Sequence, residues 1–370
     1  MKSPWKKVLD TIIPYEPGRP IGEVKRDLGL AEVVKLASNE NPCGPSEKVI
    51  EAIVEAARDV NRYPDGGCFY LRKELSDRIS VPGNNIVFGN GSDELIVLAL
   101  RAFVESGEQV ILSHPTFMVY KIASEIVGAD VVTVPVLDFK YDLEGMLSKI
   151  TDRTKMVFIA NPENPTGTHI RSGELERFIE QVPPEVVVFI DEAYYEFASG
   201  EDDYPEILRT RQWRDRNIIV TRTFSKAYGL AGLRIGYAAA RADLISALNK
   251  IREPFNVNSI AQAAALAALR DQESLERSVG LVRGEKERFY RALDGMDVEY
   301  IPSKTNFILV NTKRDSKSIF KKLLEKGIIV REMSGWSLSG FIRVNVGLPP
   351  ENDFFIEEFA KLVGGRSGSA

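Results

Sequence analysis

The sequence predicts an α/β protein: a large domain on a mostly parallel sheet covered by helices, then a smaller α+β C-terminal domain. Three observations predict it. From residue 33 to 254, short and continuously apolar runs alternate with segments of helical spacing, and strands buried on both faces read as unbroken apolar runs. After about Pro254 the texture changes to helices followed by a cluster of strands. The length, 370 residues, exceeds what one small core organises, so two or three domains are expected.

Taken in order, residues 1–32 form an N-terminal arm in which Pro14, Pro17 and Pro20 bar a long helix or strand. Its composition reads as a packed linker, and it holds Tyr15 and Arg19. The large domain, 33–254, opens with Val33–Leu36 and a polar loop over 37–42. Residues 46–58 have helical spacing, with Val49, Ile50, Ile53 and Val54 on one side. A turn-rich loop over 61–67 leads to a helix from Tyr70 to Ile79. Ile86–Phe88 is a short strand running into Gly89-Asn90-Gly91-Ser92-Asp93-Glu94 and an apolar helix from Leu95 to Val104. Strand, glycine turn and helix point free backbone N–H groups at an anion. The third glycine of a dinucleotide fingerprint is missing, and Ser92 or Asp93 also serves as a plain helix cap. Strands follow at Val110–Leu112, Val131–Val136, Met156–Ala160 and Val186–Ile190, with a helix near 142–149. Ile218–Val220 then opens into the loop Thr221–Tyr237. The C-terminal domain, 255–370, has helices over 259–270 and 272–294 and strands at Thr305–Asn311, Ile328–Arg331 and Phe341–Val346. The Gly/Ser-rich tail from Gly364 is expected to fray.

Bulk properties exclude several classes. Hydrophobic residues at 44% and charged residues at 27% are ordinary globular values. A net charge of −5 without a basic tract argues against a nucleic-acid partner. No apolar run approaches the roughly 20 residues that cross a bilayer. The first seven residues lack the apolar core of a signal peptide, so a cytoplasmic location is expected. Cys43 and Cys68 are too few for a disulfide framework. His114 and His169 are too few for a His-rich metal site or a Ser-His-Asp triad, so no metal is expected.

In open sheets of this kind ligands gather beyond the carboxyl ends of the strands. Gly91-Ser92, Phe117, Asn161, Asp191 and Ser225-Lys226 each lie just past a predicted strand end. A lysine that bonds a carbonyl must be desolvated or near other cations, so that its amine is neutral often enough to attack. The Ser225 hydroxyl and the Arg234 guanidinium suit a phosphate. Pyridoxal 5'-phosphate needs both an attacking lysine and a phosphate clamp. Asp191 ends the most apolar run, where a carboxylate is costly to bury without a cation. A protonated pyridine nitrogen is one such partner, an arginine another, and a helix cap is the plainer role. Tyr194 and Asn161 could meet a ring oxygen and Phe117 could stack on the ring; each also serves as packing.

The motifs Asn39-Glu40-Asn41-Pro42, Arg62-Tyr63-Pro64, Gly91-Ser92-Asp93-Glu94, Asn161-Pro162-Glu163-Asn164-Pro165-Thr166-Gly167, Asp191-Glu192-Ala193-Tyr194, Ser225-Lys226-Ala227, Ala231-Gly232-Leu233-Arg234 and Phe341-Ile342-Arg343-Val344 stand in one order along the chain. Together they resemble the fold-type I pyridoxal-phosphate-dependent aminotransferases, and most nearly the histidinol-phosphate aminotransferases. The resemblance covers nearly the whole chain. It implies that Lys226 is the Schiff-base lysine and that Asp191 pairs with the pyridine nitrogen. It assigns Asn161 and Tyr194 to the ring oxygen and Phe117 to the stacking position, where relatives often have tyrosine. Ser92, Asp93, Ser225 and Arg234 would hold the phosphate, helped by Tyr63 from a partner subunit, so a homodimer with composite sites is implied. Arg343 would anchor the amino donor's carboxylate, with Arg331 and Tyr15 helping the same site take a phosphate ester; Arg331 also reads as a strand end facing water. The implied reaction is a ping-pong amino transfer between histidinol phosphate and 2-oxoglutarate in histidine biosynthesis. An aromatic-amino-acid aminotransferase, a threonine-phosphate decarboxylase and a non-catalytic cofactor-binding protein remain alternatives.

Overall fold

The computed structural model describes residues 4–201 and 203–363. The tail from Gly364 and the first three residues, on which two of the sequence expectations fall, lie outside them. Thirteen strands are found among the described residues. They are β1 (Val34–Lys35), β2 (Ile86–Gly89), β3 (Gln109–His114), β4 (Asp130–Pro135), β5 (Thr154–Ala160), β6 (Val187–Asp191) and β7 (Ile218–Thr223). There follow β8 (Gly236–Ala240), β9 (Tyr300–Ile301), β10 (Phe307–Asn311), β11 (Ile328–Ile329), β12 (Arg331–Glu332) and β13 (Phe341–Asn345).

Seven strands make the large sheet, in the order β2-β8-β7-β6-β5-β3-β4. Pairing is parallel from β7 to β4, and β8 runs antiparallel to both its neighbours. Because β8 reverses twice, β2 points the same way as β7. The sheet is apolar on both faces. Ile111, Val157, Ile159, Val188 and Ile190 enter one core, and Val110, Leu112, Met156, Phe158 and Phe189 enter the other. This period-two division is why the strands read as continuous apolar runs. Helices cover both sides, among them Ser92–Phe103 against one core and Ser259–Arg270 against the other. The latter starts where Asn258 Oδ1 accepts from the Ala261 N–H at 2.8 Å, a side-chain cap.

The C-terminal part carries an antiparallel sheet, β12-β13-β10-β9. Its core gathers Phe289, Ile308, Val310, Ile342 and Phe355, joined by Leu36 from the front of the chain. Residues 34–36, placed at the head of the large domain by the sequence, therefore pack against the small sheet, with β1 parallel to β11. The chain from Ser38 to Asn41 leaves that pairing and crosses to the large sheet, where Asn39 bonds Tyr194 and Asn41 bonds the Ala227 carbonyl.

Three elements differ from expectation. The strand expected over Ile328–Arg331 breaks at Val330: β11 pairs with β1 and β12 pairs with β13. The arm contains a helix, Ile21–Leu28, that begins directly after Pro20 and stops at Gly29. Proline fits the start of a helix because the missing N–H has no partner there. Strand β8 starts inside the expected loop Thr221–Tyr237 and continues through Ala238–Ala240, where alanines carry no strand signal.

Candidate active site

Strands β2, β3, β5, β6 and β7 share one direction, so whatever follows them converges on one edge of the sheet. A cavity of about 280 Å³ opens there. Tyr15, Ser92, Asp93, Phe117, Asp191, Tyr194, Ser225, Lys226, Arg234 and Arg343 line it; of the other expected residues, Asn161, Tyr63 and Arg331 do not.

One end is a cup for an anion. Helix Ser92–Phe103 starts at Gly91, whose φ of 83° suits glycine alone, and its first N–H groups have no partner within the helix. Strand β8 passes so close that a Cβ on Gly236 would come within 2.8 Å of the Ser92 nitrogen. Ser225 and Arg234 complete the cup. The Thr223 hydroxyl donates to Ser225 Oγ at 3.0 Å. Arg234 Nη2 donates to Asp93 Oδ2 at 3.0 Å. The Asp93 carboxylate thus orients the guanidinium, and what Asp93 itself offers an anion is its backbone N–H.

Lys226 follows Ser225 into the centre. Its Nζ donates to the Ser38 carbonyl at 3.4 Å. Burial first, and then the charge of Arg343, lower its amine to about 8. At the floor Asp191 is 5% exposed. It accepts from the Tyr120 hydroxyl at 2.6 Å, the Ala193 N–H at 3.1 Å and the Thr221 hydroxyl at 3.3 Å. These partners are all neutral, and burial raises the carboxyl to about 6. Such a group is completed by a cation from the cavity side. On the walls, Tyr194 Oη accepts from Asn39 Nδ2 at 2.8 Å, and burial pushes its hydroxyl up to about 12. Phe117 faces the cavity with its ring edge-on to Tyr120, centroids 5.5 Å apart.

The assignment of Asn161 to the cavity is corrected. Asn161 is fully buried, and both ends of its amide are held by the Ile170 backbone, at 2.8 Å and 3.3 Å. The residue of that loop which reaches the cavity is Asn164, whose Oδ1 accepts from Arg343 Nη1 at 2.5 Å. The loop holds two Asn-Pro pairs, and proximity to the strand end favoured the wrong one.

The end opposite the cup is basic. Arg343, on β13, donates through Nη2 to the Ala37 carbonyl at 3.1 Å, and its buried Nε has no partner. Burial lowers this guanidinium to about 10. Arg331 stands behind the lining, its guanidinium carbon 5.9 Å from the Tyr15 ring and 5.7 Å from the Trp336 ring. Its Nη1 donates to the Glu16 carbonyl at 3.1 Å, and its Nε is likewise without a partner. Tyr63 is 84% exposed, stacked on Phe255 and outside its own chain's cavity.

Sequence reasoning missed Tyr120, Asn164 and Trp336 as cavity residues and gave Asn39 no role. Asn39 and Asn164 stand inside motifs that were singled out; Tyr120 and Trp336 carry no signal beyond being aromatic. A roomier cavity, about 790 Å³, is lined by Tyr195, Arg222 and Tyr237 among others, and reaches neither Lys226 nor Asp191. Its most buried cation, Arg222, is already paired with Glu192 at 2.8 Å. Among the described residues no cluster of acidic, His or Cys side chains is arranged for a metal, and no helix is long and apolar enough to cross a membrane.

The family model for aminotransferase class I and II matches residues 31–358. The histidinol-phosphate aminotransferase of Moorella thermoacetica is 41% identical over 358 residues, 97% of this chain and 92% of that protein. That of Caldicellulosiruptor saccharolyticus is 44% identical over 361 residues, 97% of this chain and all of its own. The crystal structure of histidinol-phosphate aminotransferase from Sinorhizobium meliloti in complex with pyridoxal 5'-phosphate aligns with a TM-score of 0.89 at 30% identity, covering 98% of each chain. A sheet edge carrying an amine, a buried carboxylate and an anion cup, set in a chain matched over nearly its whole length, admits a plain conclusion: this protein belongs to the aminotransferase class I and II family.

Proposed function

We propose that the chain is a histidinol-phosphate aminotransferase, exchanging an amino group between histidinol phosphate and 2-oxoglutarate with pyridoxal 5'-phosphate as cofactor, in histidine biosynthesis. The observation that carries the substrate reading is the second basic end of the cavity. Arg343 and Arg331 lie away from the cup at Ser92, Ser225 and Arg234, and each keeps a buried Nε without a partner. One site with two guanidinium groups can take the phosphate of one substrate and the carboxylate of the other in turn. The three relatives above bear that enzyme's name.

The residues present fit the cofactor. A Cβ at Gly236 would meet backbone on both sides and one at Gly91 would press on the Arg234 guanidinium, which fits a phosphate held closely by backbone N–H groups. Asp191 faces the cavity with neutral partners only, and Lys226 has a lowered pKa. Bound there, pyridoxal phosphate supplies an aldehyde for amino groups and a pyridinium ring that accepts the electron pair released at the substrate's amino-bearing carbon. Asp191, held by Tyr120 and Thr221, keeps a ring nitrogen protonated. Tyr194 and Asn164 are the side chains for a ring oxygen, and Phe117 for the ring face. Lys226 Nζ, its amine partly neutral near pH 7, would take the proton from the substrate's amino-bearing carbon and pass it to the cofactor's former aldehyde carbon, so that the amino group stays with the cofactor. Arg343 holds the substrate's far anion, with Arg331 behind the lining adding positive charge, and so fixes which carbon meets Lys226.

We place Tyr63 in the site of a second copy. Exposed apolar side chains, among them the ring pairs Tyr63–Phe255 and Phe69–Tyr70, support a homodimer.

A half-reaction tests the substrate. Purified enzyme carrying pyridoxal phosphate, mixed with histidinol phosphate alone, should change to the spectrum of the pyridoxamine form. Conversion by phenylalanine or tyrosine but not by histidinol phosphate would select an aromatic-amino-acid aminotransferase instead. Carbon dioxide released from threonine phosphate without any keto acid would select a decarboxylase.

A further inference from the structure

The chemistry above uses Asp191 and leaves a second buried carboxyl near it without a role. Glu163 is 1% exposed and sits in the loop that delivers Asn164 to the cavity. Thr116 Oγ1 donates to its Oε1 at 3.0 Å. Thr116 immediately precedes Phe117, the aromatic wall of the cavity. The Tyr141 hydroxyl faces the same carboxyl and favours its charged form. The Tyr141 oxygen also accepts, at 2.8 Å, from the N–H of Ala160, the last residue of β5. One side chain therefore ties together the loop after β3, the end of β5 and the loop after β5. Its other oxygen, Oε2, is buried with no partner. For filling space alone, an apolar side chain of this size would serve at lower cost than a partly unsatisfied carboxyl.

We propose that Glu163 is a positioning residue for the cofactor cleft: through Thr116 and Tyr141 it holds the Phe117 wall in register with Asn164. It acts through these neighbours and touches no reacting atom. The proposal rests on the cofactor seat described above.

The charge state of Glu163 makes the clamp readable by pH. Burial, with the charge of Asp191 adding, raises its carboxyl to about 8, against the lowering influence of Tyr141, Thr116 and the Asn164 backbone. The titratable groups facing it are Tyr141, Asp191 and Tyr120. Near pH 7 it is mostly protonated and adds no second anion beside Asp191. Above about 8 it ionises, and like-charge repulsion loosens the clamp. The folded pKa lies above the unfolded carboxyl value, so the folded form binds the extra proton. Stability from this group is present at low pH and is lost as pH rises from about 4 to about 8.

The test follows cofactor release from the loaded enzyme, by loss of its visible absorbance on dilution, for Glu163→Gln, Glu163→Ala and Thr116→Val between pH 6 and 9. At pH 7 the Ala and Val variants should release cofactor at least about fivefold faster, and the double variant no faster than either alone, because both cut one link. Glu163→Gln, neutral at every pH, should stay within about twofold of the parent and lose the parent's acceleration above pH 8. Its melting temperature relative to the parent should climb from pH 5 to pH 8. The proposal is overturned if the Ala and Val variants release cofactor at the parent rate, if their effects add, or if Glu163→Gln keeps the parent's pH dependence. Should Glu163→Ala fail to fold, Thr116→Val reads the same link from its other end. An error in the cofactor seat shows separately, as cofactor that borohydride still fixes to the chain in Lys226→Ala.

Discussion

At the scale of single residues, reactivity is decided by what surrounds Lys226. An exposed lysine titrates near 10.4 and is almost wholly protonated at neutral pH. Here burial and the Arg343 charge bring the amine to about 8. Each pH unit below that value cuts the neutral fraction about tenfold. The rate at which enzyme stripped of cofactor captures pyridoxal phosphate should therefore rise with pH and level off above about 8. Arg343→Gln removes the second cause of the shift, so its rise should move to higher pH. Stopped-flow absorbance from pH 6 to 9 checks both, and superimposable profiles for the two proteins would defeat the account. If Lys226 bonds the carbonyl and moves the proton, Lys226→Ala should hold cofactor only non-covalently, none of it fixed to the chain by borohydride, and lose turnover by at least about a thousandfold.

At the scale of elements, β8 shapes the anion cup. Its residues Ala238, Ala239 and Ala240 are fully buried, and small side chains let the strand lie closely between β2 and β7. At its start Gly236 passes the beginning of helix Ser92–Phe103. A Cβ there would meet backbone on both sides, the Ser92 nitrogen at 2.8 Å and the Arg222 carbonyl at 3.0 Å. Neither can move without moving a strand or the helix start. Gly236→Ala should destabilise the protein by about 1–3 kcal/mol, the usual cost of overpacking. It should also weaken cofactor binding by at least about tenfold, because Ser92 carries part of the cup. Equilibrium denaturation and cofactor titration measure the two effects, and unchanged affinity would remove Ser92 N–H from the cup. The break at Val330 acts in the same structural way: by ending β11 and starting β12 in another sheet partner, it turns Arg331 towards Tyr15 and Trp336.

At the scale of the whole molecule, the site is assembled from distant stretches of chain. The arm brings Tyr15, the crossing at Ser38–Asn41 brings Asn39, five strand ends bring the cup and floor, and the small sheet brings Arg343. If Tyr63 completes the site of a second copy, defects in Tyr63 and Lys226 should complement. Tyr63→Ala and Lys226→Ala proteins, each impaired alone, should after unfolding and refolding together recover about a quarter of parental activity. Random pairing makes half of the dimers mixed, and each mixed dimer has one intact site. No recovery, with mixed dimers confirmed by tag capture, would leave Tyr63 without that role.

What the sequence determined by itself was local or periodic. The apolar runs determined the parallel strands, because a strand buried on both faces has no polar side to show. Their ends located Ser92, Phe117, Asp191, Ser225 and Lys226, because a parallel sheet puts all its carboxyl ends on one edge. Motifs in one order along the chain carried the resemblance to aminotransferases. Tertiary structure decided what depends on contacts between distant segments. Strand β8 exists because two neighbours pair with an alanine-rich segment that has little strand preference of its own. Residues 34–36 belong beside the small sheet because β11 offers them a partner. Asn164 rather than Asn161 faces the cavity because the Ile170 backbone satisfies the Asn161 amide, a bond across nine residues that spacing does not reveal. Glu163 reads in the sequence as a polar loop residue; only packing buries it between Thr116 and Tyr141, where its charge comes to matter.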